Sequence, residues 1–291
     1  MPADNESLDL RLKDGRTLGY AAYGDPGGRP AFYFHGHPGS RFEGRFADEP
    51  ARRHSIKLIA PDRPGYGRSS DKPQRRITDW PADVAELADA LGHQKFVVIG
   101  GSGGGPFSLA CASLLPDRVI AAGLVSAVAP YDAPGATDGM RPLNKIAFKY
   151  ISRLPVLPGL VMKSMARKIR RDPDGAFEQI KSAMSPPDRE VLARPRIGED
   201  FEEIIAEAFR NGTSGATAEL RLLGRPWGFP LSDIKVPVHM WQGTEDRLVP
   251  EAMGRYLAAA IPGCRATFAE GQGHLLFVDR VEEIVQALTQ P

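Results

Sequence analysis

The chain is short of the features that would place it in several large classes. It has 2 cysteines, Cys111 and Cys264, among 291 residues, so no disulfide framework is expected. No apolar run reaches the length of a membrane span. Neither sign of charge dominates: 37 Lys and Arg against 36 Asp and Glu give a net charge of +1, and no global field favours nucleic acid. No repeat or low-complexity segment occurs. The opening stretch MPADNESLDLRLKDG is polar and has no apolar core of a signal peptide, so a cytoplasmic location is the default expectation. What remains is an ordinary globular composition, 42% hydrophobic and 25% charged, long enough for one large core with an inserted subdomain. Nothing in it selects an oligomeric state.

Glycine is plentiful, at 31 residues, and unusually dense in VVIGGSGGGPFSLACA, where Gly100–Gly105 hold five glycines and a serine. Each glycine costs backbone entropy on folding, so such a run needs a reason. It is no flexible linker, because Phe96–Ile99 before it reads as a buried strand. Pro106–Leu115 after it reads as a helix with Phe107, Ala110, Cys111 and Leu114 on one side. A phosphate loop needs Lys after its last glycine, and Pro106 follows here. The dinucleotide spacing fails at Pro106 in one register and at Ser102 in the other. The pattern G-x-S-x-G fits as Gly100, Ser102 and Gly104. A nucleophilic serine on a sharp strand-to-helix turn needs small neighbours two residues away on either side. The N–H of Gly103 then opens a helix and can face a developing oxyanion.

The rest of the chain alternates. Strands are expected at Leu8–Leu12, Thr17–Tyr23, Ala31–Phe34, Ile56–Ala60, Phe96–Ile99, Val119–Val125, Val236–Trp241 and Ala266–Ala269. Helices are expected at Arg41–Arg53, Thr78–Leu91 with Thr78 as N-cap, Pro106–Leu115, Glu251–Ala260 and Val281–Leu288. From about Tyr131 to Asp233 there are helical patches and many prolines but no clear strand. This rhythm predicts an α/β fold: a mostly parallel sheet with helices on both faces, built from 1–130 and 234–291, and a helical cap inserted at 131–233.

Partners for Ser102 should lie on loops at the carboxyl ends of strands. Of the 6 histidines, His274 in EGQGHLLF satisfies this, whereas His54 and His93 sit beside helices and His239 inside a strand. Asp246 in WQGTEDRLVP ends the preceding strand; Glu245 and Asp132 are the rival acids. The bland alternatives are a capping role for Asp246 and a small buried side chain for Cys111. The order Ser102, Asp246, His274 is the nucleophile–acid–base order of one hydrolase architecture.

At this point the chain resembles the α/β-hydrolase superfamily over nearly its whole length. HGHPGSR, PDRPGYGRSS, GGSGGGP, GTEDRLVP and GQGH stand in the order of that family's landmarks. The resemblance is to serine hydrolases with a helical cap, in the esterase, haloperoxidase-like and proline iminopeptidase-like branch. It implies an eight-stranded, mostly parallel sheet and no cofactor. It also implies that the backbone N–H of His37 joins that of Gly103 as an oxyanion donor. Proline iminopeptidases usually carry glycine at the position of His37, but a main-chain donor tolerates either residue. Dehalogenases and epoxide hydrolases of this fold carry Asp at the elbow; this chain carries Ser102. His35 and His37 suggest zinc, but no third ligand follows, so no metal is expected.

The expected function is hydrolysis of a carboxylic ester, lactone or similar small acyl substrate through an acyl-enzyme. The alternatives are carbon–carbon bond hydrolysis or perhydrolysis on the same three residues, or a non-catalytic small-ligand receptor. One oddity stands apart. Arg141–Arg171 contains nine Lys and Arg and no Asp or Glu, interleaved with large apolar residues. The expected reading is a cap with one apolar and one solvated basic side, and the sharper ones are a membrane-surface patch or attraction for an anionic substrate.

Overall fold

The computed structural model describes residues 4–289; residues 1–3 and 290–291 of the expected core ranges lie outside them. Eight strands form one sheet: β1 (Leu8–Arg11), β2 (Thr17–Gly24), β3 (Arg29–Phe34), β4 (Ile56–Pro61), β5 (Phe96–Gly101), β6 (Val119–Val125), β7 (Val238–Gly243) and β8 (Arg265–Ala269). Their order is β1-β2-β4-β3-β5-β6-β7-β8. β1 pairs antiparallel with β2, and β2 with β4; every later pairing is parallel. The sheet is therefore eight-stranded and mostly parallel, as the sequence implied.

The strands read as apolar runs because both faces are covered. In β5, Phe96 and Val98 point into one core while Val97 and Ile99 point into the other. In β3, Phe32 and Phe34 alternate in the same way with Ala31 and Tyr33. The helices that cover these faces are α1 (Asp48–Arg53), α2 (Trp80–Ala90) and α3 (Gly105–Leu114) early in the chain, and α10 (Glu251–Ala260) and α11 (Leu276–Thr289) late in it. α2, α3 and α10 supply Trp80, Leu87, Phe107 and Met253 to the first core. α1 and α11 supply Ala51, Leu276, Ile284 and Leu288 to the second. Cys111 is wholly buried in α3, a small apolar side chain with a free thiol.

Between β6 and β7 lie only helices among the described residues: α4 (Pro142–Lys149), α5 (Leu157–Arg171), α6 (Pro173–Ala183), α7 (Pro186–Leu192), α8 (Pro195–Ala208) and α9 (Ser214–Leu223). They build a third apolar cluster from Met162, Ala166, Ile205, Ala208, Phe209 and Leu220, which closes against Tyr66.

Several boundaries differ from the expected ones for local reasons. Arg41–Ala47 is a 3-10 helix that precedes α1. Thr78 is not an N-cap: it lies inside the 3-10 turn Ile77–Asp79, and Asp79 accepts the Arg76 N–H at 2.8 Å. β7 starts at Val238, because Pro237 has no N–H for the ladder, although its carbonyl accepts from Ala122. α11 starts five residues before Val281, with Leu276 and Phe277 already packed into the second core.

Candidate active site

β5 delivers Ser102 to a turn that only small neighbours permit. Ser102 has φ +50°, left-handed backbone that costs a non-glycine residue about 1 kcal/mol or more. A Cβ at Gly100 would lie 2.5 Å from the Gly104 carbonyl oxygen, and one at Gly104 would lie 2.1 Å from that of Phe34. One at Gly103 would lie 2.7 Å from His37 Cβ and 3.3 Å from the His37 nitrogen. The glycine run thus lets the elbow press against the loop that follows β3, and it brings the backbones of His37 and Gly103 together beside Ser102.

His274 precedes α11, and Asp246 follows β7. His274 Nδ1 stands 2.8 Å from Asp246 Oδ2. Asp246 is buried, and its other oxygen accepts the N–H groups of Leu248 at 2.8 Å and Val249 at 2.9 Å. These bonds fix the carboxylate in place against the ring, so Nδ1 carries the proton and Nε2 is left as a base. Burial disfavours charging His274, but the Asp246 carboxylate and its hydrogen bond outweigh that, aided by Asp188 and Glu43. Its pKa is therefore raised above the ordinary imidazole value. Glu245 and Asp132, the rival acids, are both exposed.

Ser102, His274 and His37 line one cavity of about 180 Å³ whose other walls are mainly apolar, among them Met165, Met184 and Phe277. Asp246 stands behind His274, out of the cavity. His35 lies beneath the loop that follows β3, wholly buried. Its Nδ1 bonds Gly36 O at 2.9 Å and its Nε2 accepts the Arg63 N–H at 3.2 Å. Both ring nitrogens are thereby used. His37 Nδ1 is bonded to Tyr66 Oη at 2.8 Å. His54 pairs with Glu282, and His239 stacks on Trp241, both away from the cavity.

Three carboxylates near the site were not singled out by the sequence. Glu43 lines the cavity; it accepts the Gly36 N–H with both oxygens at 2.9 Å and the Tyr33 hydroxyl at 3.1 Å. Burial pushes its pKa up to about 7 against the pull of those donors. Asp188 of α7 accepts the Leu275 N–H at 2.8 Å and the Ser185 hydroxyl at 2.6 Å, and so holds the loop that carries His274. Its signal was Ser185-x-x-Asp188, a helix-start pattern. Glu219 of α9 is wholly buried. It meets Arg63 through both oxygens at 2.6 and 2.8 Å, Arg75 at 3.0 Å and Tyr66 at 2.9 Å. Arg63 in turn donates to the carbonyls of His35 at 2.5 Å and Gly36 at 2.9 Å. A carboxylate of the inserted helices therefore ties down the loop of His37.

That tie predicts a stability effect. Burial alone would raise the Glu219 pKa, but Arg63 and Arg75 hold it well below the ordinary carboxyl value. A depressed carboxylate stabilises the fold above its unfolded pKa, and that stability is lost as pH falls through the folded one. Glu219→Gln leaves two buried guanidinium groups without a counter-charge. Calorimetry at neutral pH should show a loss of about 3–5 kcal/mol, with the difference from wild type shrinking in acid.

This arrangement of sheet, elbow and cavity is that of a hydrolase architecture, and the chain belongs to the α/β-hydrolase fold family, whose model matches residues 32–281. It is similar to the uncharacterized hydrolase YcgS of Bacillus subtilis (strain 168), 29% identical over 280 residues that cover 92% of this chain and 91% of that one. It is also similar to a non-heme chloroperoxidase of Streptomyces lividans, 38% identical over 124 residues, or 42% of this chain and 45% of the other. Among solved structures, a hydrolase from Pseudomonas aeruginosa aligns with TM-score 0.73 at 20% identity, covering 99% and 100% of the two chains. A thermophilic esterase from Thermogutta terrifontis aligns with TM-score 0.69 at 22% identity, covering 98% and 97%.

Proposed function

We propose that the protein is a serine hydrolase that cleaves a carboxylic ester, lactone or similar small acyl compound. The observation that carries this is one cavity holding a serine on a left-handed elbow and a histidine fixed by a buried aspartate. Ser102 Oγ attacks the carbonyl carbon while His274 Nε2 takes its proton. The oxygen that gains charge is met by the N–H groups of His37 and Gly103. The imidazolium, stabilised by Asp246, then protonates the leaving alkoxide, and the acyl group stays on Ser102. Water attacks next, His274 takes its proton, and the acid leaves as Ser102 regains its hydrogen. The inserted helices act as a cap whose Met165, Ile180 and Met184 shape the apolar end of the cavity, and this sets acyl size rather than bond chemistry.

Short p-nitrophenyl esters and a lactone panel test this. Steady turnover well beyond one product per protein supports it; a single stoichiometric burst would instead make the chain a receptor that acylates once. The similarity to a chloroperoxidase adds perhydrolysis as a second reading, in which hydrogen peroxide replaces water and a peracid leaves. Peracid formation in the same assay with peroxide separates the two.

A pH profile follows from the charges. His274 must be neutral to accept a proton, so kcat/KM falls as pH drops through its raised pKa. Glu43 is one of the negative neighbours that raise it. Glu43→Gln keeps an acceptor for the Gly36 N–H but removes the charge. The acid limb of kcat/KM should then move to lower pH; an unmoved limb contradicts Glu43 as a charged neighbour of the base.

A further inference from the structure

The outer face of the inserted helices is built unlike the rest of the surface. Of the ten large apolar side chains that stand exposed among the described residues, eight lie between Leu143 and Val161. Leu143 is 72% exposed, Val156 63%, Tyr150 59% and Leu160 54%. The nine cations of Arg141–Arg171 run through and beyond them, and no Asp or Glu interrupts the stretch. Elsewhere cations find carboxylates, as Arg16 does with Asp83 and Arg118 with Asp89. None of these nine is among the ion pairs of the described residues. Arg141 and Arg153 reach only the carbonyls of Ala183 and Gly224, and Lys168 reaches the amide of Gln179.

α5 shows how the two properties separate from the core. Met162 and Ala166 are buried, and Met165 lines the cavity. The opposite side carries Leu160, Arg167, Lys168 and Arg171, all exposed. Some of the charge has a local use, since Lys168, Arg170 and Arg171 complement the negative end of the helix dipole. That use does not account for the cations before the last turn or for the apolar side chains between them.

From this unpaired positive charge and the exposed apolar side chains beside it, we propose that the face spanning Leu143–Arg171 is a docking surface for an anionic lipid membrane. An interfacial element needs apolar side chains to enter the acyl boundary and cations to meet the phosphates, and needs no spanning helix. No helix among the described residues is long and apolar enough to cross a bilayer. A second copy of the chain is the poorer occupant. A two-fold contact through this face would set the same nine cations against each other. Docking would bring the far side of α5, and with it the cavity wall at Met165, near the bilayer.

The test is sedimentation with vesicles, using the full chain carrying Ser102→Ala so that no lipid can be turned over. This readout is independent of the hydrolytic proposal, so the failure of either leaves the other standing. The probes are phosphatidylcholine vesicles with and without phosphatidylglycerol, at low and high salt. The protein should partition onto the anionic vesicles, weakly onto the neutral ones, and less at high salt. Each cation at such a surface contributes roughly fivefold, so Lys163→Gln/Arg167→Gln/Arg170→Gln should lower partitioning roughly 100-fold at low salt. Leu160→Ser/Val161→Ser should weaken what survives at high salt. All five side chains are exposed, so unchanged melting temperatures are expected and show that the fold is intact. Equal binding to both vesicle types, no binding, or a triple variant that binds like its parent would each overturn the proposal. So would a dimer in light scattering that Leu160→Ser/Val161→Ser dissolves while the vesicles sediment without protein.

Discussion

Ser102→Ala is expected to lower kcat by about 10⁴–10⁶, the range for loss of a serine nucleophile whose partners act only through it. On the proposed mechanism the substitution removes the one atom that would form the acyl bond, and it leaves the rest of the cavity in place. Alanine tolerates φ +50° no better than serine does, so the melting temperature should stay close to that of wild type. A fluorophosphonate probe should label the wild-type protein at Ser102 and leave the variant unlabelled. Labelling at another serine, or a variant with more than about a hundredth of wild-type kcat, would move the nucleophile elsewhere.

Asp246→Asn should produce the second largest loss, about 10⁴-fold in kcat, because an amide cannot hold the imidazole in the tautomer that leaves Nε2 free. The side-chain oxygen can still accept from Leu248 and Val249, so the loop after β7 should keep its shape. Glu245→Gln is the control: that side chain is exposed, and kcat should stay within about twofold, as for surface substitutions away from the chemistry. If Glu245→Gln were the damaging change and Asp246→Asn the silent one, the acid would have to be reassigned.

How much of this could be read from the chain differs by element. The sheet was legible because its inner strands are buried on both faces and appear as apolar runs between turn residues; Phe96–Ile99 is the clearest. The elbow was legible because steric crowding at Gly100, Gly103 and Gly104 leaves no other residue type. His274 and Asp246 were legible through their places at strand ends. The inserted helices were less so. Their prolines read as interruptions, yet α4, α5, α6, α7 and α8 each carry one in the first turn, where the missing N–H has no partner to lose. Glu43 and Glu219 were not legible, and Asp188 only as part of a helix-start pattern with Ser185. The roles of Asp188 and Glu219 depend on burial beside donors far along the chain, as with Glu219 and Arg63, 156 residues apart. Local pattern carries no trace of such a pairing.

The carboxylates of the inserted helices have a consequence for how such a protein can change. Asp188 steadies the loop of His274, Glu219 neutralises Arg63 and Arg75, and Glu207 of α8 meets the buried Arg41 at 2.6 Å. The insertion is thus not an exchangeable part. A graft of another protein's helices at 131–233 would strand two interior guanidinium groups, Arg63 and Arg75, each a loss of several kcal/mol, and would leave Arg41 with Asp62 alone, unless the donor carried acids at matching places. Tailoring the substrate range by swapping the whole segment should therefore yield insoluble protein. Single changes along the apolar wall, at Met165, Ile180 or Met184, reach the same cavity without touching those anchors.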